Sequence, residues 1–200
     1  MTARHLVIFA REPRLGRVKS RLAAGIGALG ALRFYRAALA GLFRRVGRDP
    51  RWRVWLVVMP DRAVTARVWP GGARVVPQGA GDLGERMARP LRRLPPGPVI
   101  IIGSDIPDVD APRIAAAFRA LGRCEFVFGP ASDGGYWLVG ASRRRAVRGL
   151  FHDVRWSTAH ALSDTLATLP RGAPVAFVDV LDDVDDAGDW RRWRERRRSY

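Results

Sequence analysis

Lys19 is the single lysine among the 35 lysine and arginine residues of this 200-residue chain. Guanidinium has replaced nearly every ammonium, so a retained lysine marks a place where a compact point charge on a flexible stem does what a planar fork does not. It sits in the densest local pattern of the sequence, Phe9-Ala10-Arg11-Glu12-Pro13-Arg14-Leu15-Gly16-Arg17-Val18-Lys19-Ser20-Arg21-Leu22. Pro13 and Gly16 shape a turn that exposes backbone N–H groups, and Arg11, Lys19 and Arg21 could converge on an anion near the start of a following helix. The Gly-Lys-Ser/Thr of a Walker loop is absent, so the expectation is a phosphate site of another design. A solvated basic loop is the competing reading.

Two further loops carry chemistry. Gln78-Gly79-Ala80-Gly81-Asp82-Leu83-Gly84 joins a side chain able to donate and accept hydrogen bonds to glycines that permit close backbone approach, a combination suited to a flat nucleobase. Asp82 also reads as a helix N-cap, and the two readings are compatible. Gly103-Ser104-Asp105-Ile106-Pro107-Asp108 sets a carboxylate at the tip of an apolar strand. Mg²⁺ prefers one or two carboxylates plus ligand phosphates, which suits Asp105 as a bridge to a bound ligand. Asp110, directly before Ala111-Pro112, makes the better helix cap and leaves Asp105 without that duty.

Ala131-Ser132-Asp133-Gly134-Gly135-Tyr136-Trp137 reads first as a hairpin turn, with Gly134 and Gly135 supplying the turn and Asp133 open to a role as acceptor contact or base. Arg155-Trp156-Ser157-Thr158 precedes a helix and offers hydroxyls and an N-terminus to a sugar or second anion, against a plain cap-and-core reading. The run Asp182-Asp183-Val184-Asp185-Asp186 fails the EF-hand pattern, because the positions that need Asp/Asn and Glu ligands fall on Ala187 and Arg194. Acids before a basic helix are an ordinary capped N-terminus; a second Mg²⁺ ligand from this run would be Asp185. Gly25-Ile26-Gly27-Ala28-Leu29-Gly30 matches a dinucleotide fingerprint letter for letter, yet it lies well past the first strand, so it reads as a break between two helices and nicotinamide binding is rejected.

The elements that must position these residues follow from periodicity. Apolar runs at Arg4 to Ala10, Arg53 to Met59, Arg74 to Val76, Val99 to Gly103, Glu125 to Phe128, Trp137 to Gly140 and Val175 to Val178 read as strands. Ala28 to Val46, Ala63 to Val68, Leu83 to Leu94, Ala111 to Leu121, Thr158 to Leu169 and Ala187 to Arg198 read as helices. Continuous apolar strands such as Val99-Ile100-Ile101-Ile102 need cover on both faces. The expected class is α/β: a single domain over residues 1–200, with a mostly parallel sheet and helices on both faces. In such sheets ligands bind outside the carboxyl ends of the strands, and the loops at 11–21, 78–84 and 103–108 each follow a strand.

Composition bounds the rest. The net charge of +16 invites a nucleic-acid footprint at Arg143 to Arg145 and at the Arg191 to Arg198 tail. No nucleic-acid motif accompanies it, and the preferred reading is Arg spread over loops and helix faces, with no specific nucleic acid as partner. One cysteine and three scattered histidines offer neither an internal disulfide nor zinc-ligand spacing. The longest uncharged apolar runs fall short of the about 20 residues a membrane span needs, and a cytoplasmic protein with no membrane span is expected.

These blocks resemble a family of bacterial glycosyltransferase-A-like proteins, some linked to arsenosugar biosynthesis, that lie near molybdenum-cofactor and phospholactate guanylyltransferases. The resemblance runs through Phe9-Ala10-Arg11, Val18-Lys19-Ser20-Arg21-Leu22, Gln78-Gly79, Gly81-Asp82-Leu83-Gly84, Gly103-Ser104-Asp105, Asp133-Gly134-Gly135-Tyr136, Trp156-Ser157-Thr158 and Asp183-Val184-Asp185. It implies a nucleotide-diphospho-sugar transferase fold that takes a nucleotide or nucleotide sugar, a small-molecule acceptor and Mg²⁺ or Mn²⁺. By that resemblance Arg11, Gly16, Lys19 and Arg21 hold phosphate, Gln78 to Gly84 cradle base and ribose, and Asp105 binds metal. Asp133, Gly134, Gly135, Trp156 and Ser157 fall on the acceptor side. Gly103-Ser104-Asp105 departs from the Asp-x-Asp of many metal-dependent glycosyltransferases. The expected activity is metal-assisted glycosyl transfer, with Lys19, Asp105 and Asp133 as catalytic residues. The alternatives are nucleotidyl transfer from a nucleoside triphosphate to a small phosphorylated acceptor, and a non-catalytic Arg-rich nucleic-acid binder.

Overall fold

A computed structural model describes residues 2–147 and 149–198. Seven strands, β1 (His5–Arg11), β2 (Arg53–Met59), β3 (Arg74–Pro77), β4 (Val99–Gly103), β5 (Phe126–Pro130), β6 (Tyr136–Ala141) and β7 (Val175–Phe177), form one sheet in the order β3-β2-β1-β4-β6-β5-β7. β6 runs antiparallel to both its neighbours and every other pairing is parallel. The carboxyl ends of six strands therefore reach the same edge, and β6 starts from it. The loops after β1, β3, β4, β5 and β7 all open there.

Side-chain alternation splits the strands between two cores. Leu6, Ile8, Ile100 and Ile102 face a cluster with Leu39, Leu42 and Phe43 of α1 (Ser20–Val46) and Ile114 and Phe118 of α3 (Ala111–Ala120). Val7, Val99, Ile101 and Val139 face a second cluster with Met87, Ala88 and Leu91 of α2 (Leu83–Arg93). This two-sided burial is why the strands of the sheet centre carry no charge between Val99 and Ile102.

α1 is long and apolar enough to cross a membrane by length and composition, but it is an internal helix of this fold, bent and packed on the sheet. The bend is at Gly27, whose φ of 79° and ψ of 155° lie in a region open essentially to glycine alone. Gly25 leaves room for α5 (Ala187–Arg198): a Cβ there would sit 2.4 Å from the Cβ of Ala187. The fingerprint-like glycines thus serve a bend and a helix crossing. Two helices differ from the sequence-based expectation. A 3₁₀ turn at Asp61–Thr65 replaces the helix expected over 63–68. α4 spans only Ala161–Ala167, because the Thr158 and Thr168 hydroxyls bond back to the carbonyls of Arg155 and Thr165 and compete with the helix at both ends.

Several arginines bind other parts of the fold. Arg143 donates to the carbonyls of Leu94, Pro95 and Gly97 beyond the end of α2, Arg144 to those of Leu121 and Cys124 beyond α3, and Arg145 pairs with Glu125 at 3.1 Å. In α5, Arg194 and Arg197 lie over the rings of Trp190 and Trp193. Trp193 meets Phe34 of α1 edge-on at 5.5 Å.

Replacing Gly27 by alanine forces a side chain into that region and is expected to cost about 1–3 kcal/mol, read as a lower urea midpoint at unchanged slope.

Candidate active site

Lys19 stands at the centre of the strand-end edge. Its ammonium lies 2.6 Å from Asp105 Oδ2, 3.3 Å from Asp183 Oδ2 and 3.3 Å from Asp185 Oδ1, and its side chain is 6% exposed. Asp105 follows β4; Asp183 and Asp185 belong to the loop between β7 and α5. One cation thus ties the loops after β1, β4 and β7, and the Val184 N–H donates to the Asp105 carbonyl beneath it. Arg21, mostly exposed, adds a 3.0 Å contact to Asp185 Oδ2. Lys19 takes the N-cap position of α1 in the left-handed region, φ 49° and ψ 55°, a conformation costing a lysine roughly 1–2 kcal/mol. Tyr35 supports it from behind: its buried hydroxyl accepts from the Arg11 N–H at 2.8 Å and bonds Ser104 Oγ at 3.0 Å.

The electrostatics follow from this geometry. Burial opposes the charge on Lys19, but Asp105, Asp183 and Asp185 together outweigh it and raise its pKa, so it stays an ammonium. Asp183 is pushed up to about 6, first by burial and then by the like charges of Asp105 and Asp185, against the pull of Lys19.

Beside this cluster opens a cavity of about 270 Å³. Its walls are largely apolar, from Phe9, Met87, Ile101, Tyr136, Val139 and Trp156, and three carboxylates, Asp105, Asp133 and Asp183, contribute to its lining. Gly135, Ser157 and Thr158 line it too. The Asp133 carboxylate is held by the Gly135 N–H at 2.9 Å, and the loop carrying it is tied to the acidic segment by Ser132 N–H donating to Asp182. Gly134 takes φ 84° where its backbone abuts Ala159. Tyr136 is kept neutral by burial, which raises its pKa, and its hydroxyl bonds Thr165 at 3.2 Å. The indole N–H of Trp156 is buried and has no hydrogen-bond partner.

The loop after β3 is built differently from its sequence-based reading. The Gln78 amide turns inward, donating to the Ala10 and Val57 carbonyls at 3.3 and 3.2 Å and accepting from Arg86 at 3.0 Å. It stitches β1 to β2 and has no free face for a base; the glycine-rich backbone beyond it is what the loop presents. Asp82 caps α2 in a full capping box, its carboxylate accepting from Glu85 N–H while Glu85 accepts from Asp82 N–H. Gly81, at φ 104°, leaves the space that the returning Glu85 carboxylate fills. The Gly79 N–H donates to Asp61, and Gly84 packs directly on Phe151 and Trp156, joining this loop to the cavity wall. Arg89 holds the carbonyls of Gln78 and Ala80. Arg86, its pKa lowered by burial and then by the nearby charges of Arg11 and Arg89, marks a positive cluster on this side. Gly16 and the Arg11 side chain are exposed on the first loop.

The structure therefore brings Lys19, Arg21, Asp105 and Asp185 into one cluster and Asp105, Asp133, Gly135, Trp156 and Ser157 around one cavity. It takes the Gln78 side chain out of both. Lys19 and Asp105, read separately as phosphate and metal contacts, are direct partners. Asp183 was passed over in favour of Asp185, and the acidic pattern alone could not rank them. Tyr35 carries no local signal as a mid-helix tyrosine, and Arg86-Met87 belongs to the blocks of the family resemblance without a role assigned to Arg86 there.

The donor set here is hard oxygen, the chemistry Mg²⁺ and Mn²⁺ require. The three carboxylates converge on the lysine nitrogen, and among the described residues no three acidic, histidine or cysteine side chains form a ready ligand group. Asp105, Asp183 and Asp185 supply donors of the kind an ion held by one or two carboxylates and ligand phosphates uses.

The strand order and loop placement define the nucleotide-diphospho-sugar transferase fold. The chain belongs to a family described as uncharacterized proteins conserved in bacteria (DUF2064), whose profile matches residues 42–158. That stretch holds Gln78, Asp105, Asp133 and Trp156, while Lys19 and the acidic loop lie outside it. No curated protein matches the sequence. Among solved structures, a protein of Desulfovibrio desulfuricans G20 provisionally assigned as a nucleotide-diphospho-sugar transferase is 26% identical, with a TM-score of 0.87 over 95% of this chain and 85% of that one. The 4-diphosphocytidyl-2C-methyl-D-erythritol synthase of Anaerococcus prevotii, 14% identical, superposes with a TM-score of 0.64 over 98% of each chain. Glucosyl-3-phosphoglycerate synthase of Mycobacterium tuberculosis, solved with Mn²⁺, UDP and phosphoglyceric acid, is 15% identical with a TM-score of 0.57 over 97% of this chain and 75% of that one. Transferases are among the solved neighbours.

Asp183 is an acid whose folded pKa lies above its unfolded value of about 3.9. Its contribution to stability is present below about pH 4 and is lost as pH rises through about 6. A ¹³C titration of the Asp183 carboxyl should give a midpoint near 6 that moves higher in Lys19→Met, and Asp183→Asn should flatten the stability profile over this window.

Proposed function

We propose that this protein is a metal-assisted glycosyltransferase using a nucleotide-sugar donor. The observation that carries the reading is the Lys19 ammonium, 2.6 Å from Asp105, at the strand-end edge beside a half-open cavity. A permanently charged ammonium and a carboxylate on the loops of two neighbouring strands are what a diphosphate leaving group needs. The fold shared with a transferase bound to UDP and Mn²⁺ supports the same assignment.

In this reading the backbone of Gly79 to Gly84 and the positive cluster of Arg11, Arg86 and Arg89 receive the nucleotide. Lys19 and Arg21 exchange their carboxylate partners for the diphosphate. Asp105, with Asp185 or Asp183, would hold Mg²⁺ or Mn²⁺, which as a Lewis acid would stabilise charge on the diphosphate oxygens. The acceptor sits in the cavity. Its hydroxyl oxygen bonds to the donor's anomeric carbon, the bond from that carbon to the diphosphate oxygen breaks with its electron pair leaving on the nucleoside diphosphate, and the hydroxyl proton passes to the Asp133 carboxylate. Nucleotidyl transfer would use the same edge and release pyrophosphate.

Screening nucleotide sugars and nucleoside triphosphates with and without Mn²⁺ by thermal shift identifies the donor, since ligand at 100 times its Kd adds about 2.7 kcal/mol of apparent stability. With that donor, turnover should yield nucleoside diphosphate. Lys19→Ala and Asp105→Ala should each lower kcat by at least about 100-fold while remaining folded, in line with removal of one charge-stabilising group. Release of pyrophosphate would reassign the reaction to nucleotidyl transfer, and full activity in Asp105→Ala would remove its role.

A further inference from the structure

The site is divided electrostatically, and the division bears on what the acceptor can be. On the β1–β3 side lie Arg11, Arg86 and Arg89; burial first, and then the charges of Arg11 and Arg89, lower the pKa of Arg86. On the β4–β6 side lies the cavity, whose lining includes Asp105, Asp133 and Asp183 and no lysine, arginine or histidine among the described residues. Lys19, which pairs with the lining residues Asp105 and Asp183, is already shared among three carboxylates, and Arg21 pairs with Asp185. Any charge that Lys19 and a divalent ion add at this edge is matched by the donor's own diphosphate. An anionic acceptor would therefore face uncompensated carboxylates across a few ångströms in a partly buried, low-dielectric setting, where like charges repel strongly.

The walls add a second restriction. An apolar cavity of about 150 Å³ accommodates benzene, so the 270 Å³ here takes a ring with a short substituent. Phe9, Met87, Tyr136 and Trp156 offer that ring apolar and aromatic surface.

Building on the transferase reading, we infer that the cavity is an acceptor subsite selective for an uncharged or cationic compound with a ring-sized apolar body and a hydroxyl or amine, and that it excludes phosphorylated and carboxylated acceptors. Neither the family match nor the solved neighbours assign this, and the neighbour bound to phosphoglyceric acid takes the opposite class.

Saturation-transfer NMR on the full-length protein tests it with three probes built on one benzene ring: benzyl alcohol, benzylamine and phenyl phosphate. Benzyl alcohol and benzylamine should bind competitively with each other, and phenyl phosphate should displace benzyl alcohol at least tenfold less well. Ala131→Trp, which fills the half-buried mouth, should abolish benzyl alcohol binding while the melting temperature shows that the variant is folded. Asp133→Asn should narrow the gap between benzylamine and phenyl phosphate. Displacement by phenyl phosphate as efficient as by benzylamine overturns the inference, as does benzyl alcohol binding untouched by Ala131→Trp. A parallel thermal shift with nucleoside diphosphates and Mn²⁺ separates the two levels. Nucleotide binding with the wrong probe order sinks only the acceptor class. The expected probe order without nucleotide binding sinks the transferase reading and leaves the cavity's selectivity standing.

Discussion

A buried ammonium shared by three carboxylates is the interaction around which this edge of the protein is organised. Taking Lys19 to 6% exposure is tolerable only because Asp105, Asp183 and Asp185 surround it; each of those acids in turn relies on the lysine to offset the other two. Lysine suits the position because its compact charge meets acids arriving from different directions, whereas a guanidinium favours one planar, bidentate partner. The left-handed backbone at residue 19 aims that stem inward, and the Tyr35 hydroxyl holds the flanking loops through Arg11 and Ser104.

The sheet makes such convergence possible. With β6 alone reversed, the loops after β1, β3, β4, β5 and β7 all emerge at one edge, so residues more than 160 positions apart meet without any irregular route of the chain. Two kinds of surface result. On one side guanidinium groups surround a glycine-rich backbone; on the other, carboxylates rim an apolar recess. Gly84 joins the halves, since its missing side chain lets Phe151 and Trp156 close against the start of α2. Arg143 and Arg144 satisfy carbonyls past the ends of two helices.

The architecture was largely legible from local pattern. Continuous apolar runs such as Val99 to Ile102 demand two covered faces, and Asp82 and Asp110 announce helix starts through the N–H groups they accept from. The loops singled out for chemistry do lie at the strand ends, because a parallel sheet leaves them nowhere else to go. Less legible were boundaries governed by side-chain competition, as at Thr158 and Thr168, and residues whose work is to brace others, as with Tyr35.

What the sequence by itself determined is therefore the alternation of elements, the class of sheet and the set of loops that share an edge, since these follow from periodicity, capping and breakers acting over a few residues. The tertiary structure alone decided which charge meets which. It paired Lys19 with Asp105 rather than leaving each for a separate ligand, drew Asp183 in beside Asp185, and turned the Gln78 amide into the sheet to satisfy the carbonyls of Ala10 and Val57. Pairings of this kind depend on distance and burial across the fold, and those quantities are set by packing between segments with no sequence relation to one another.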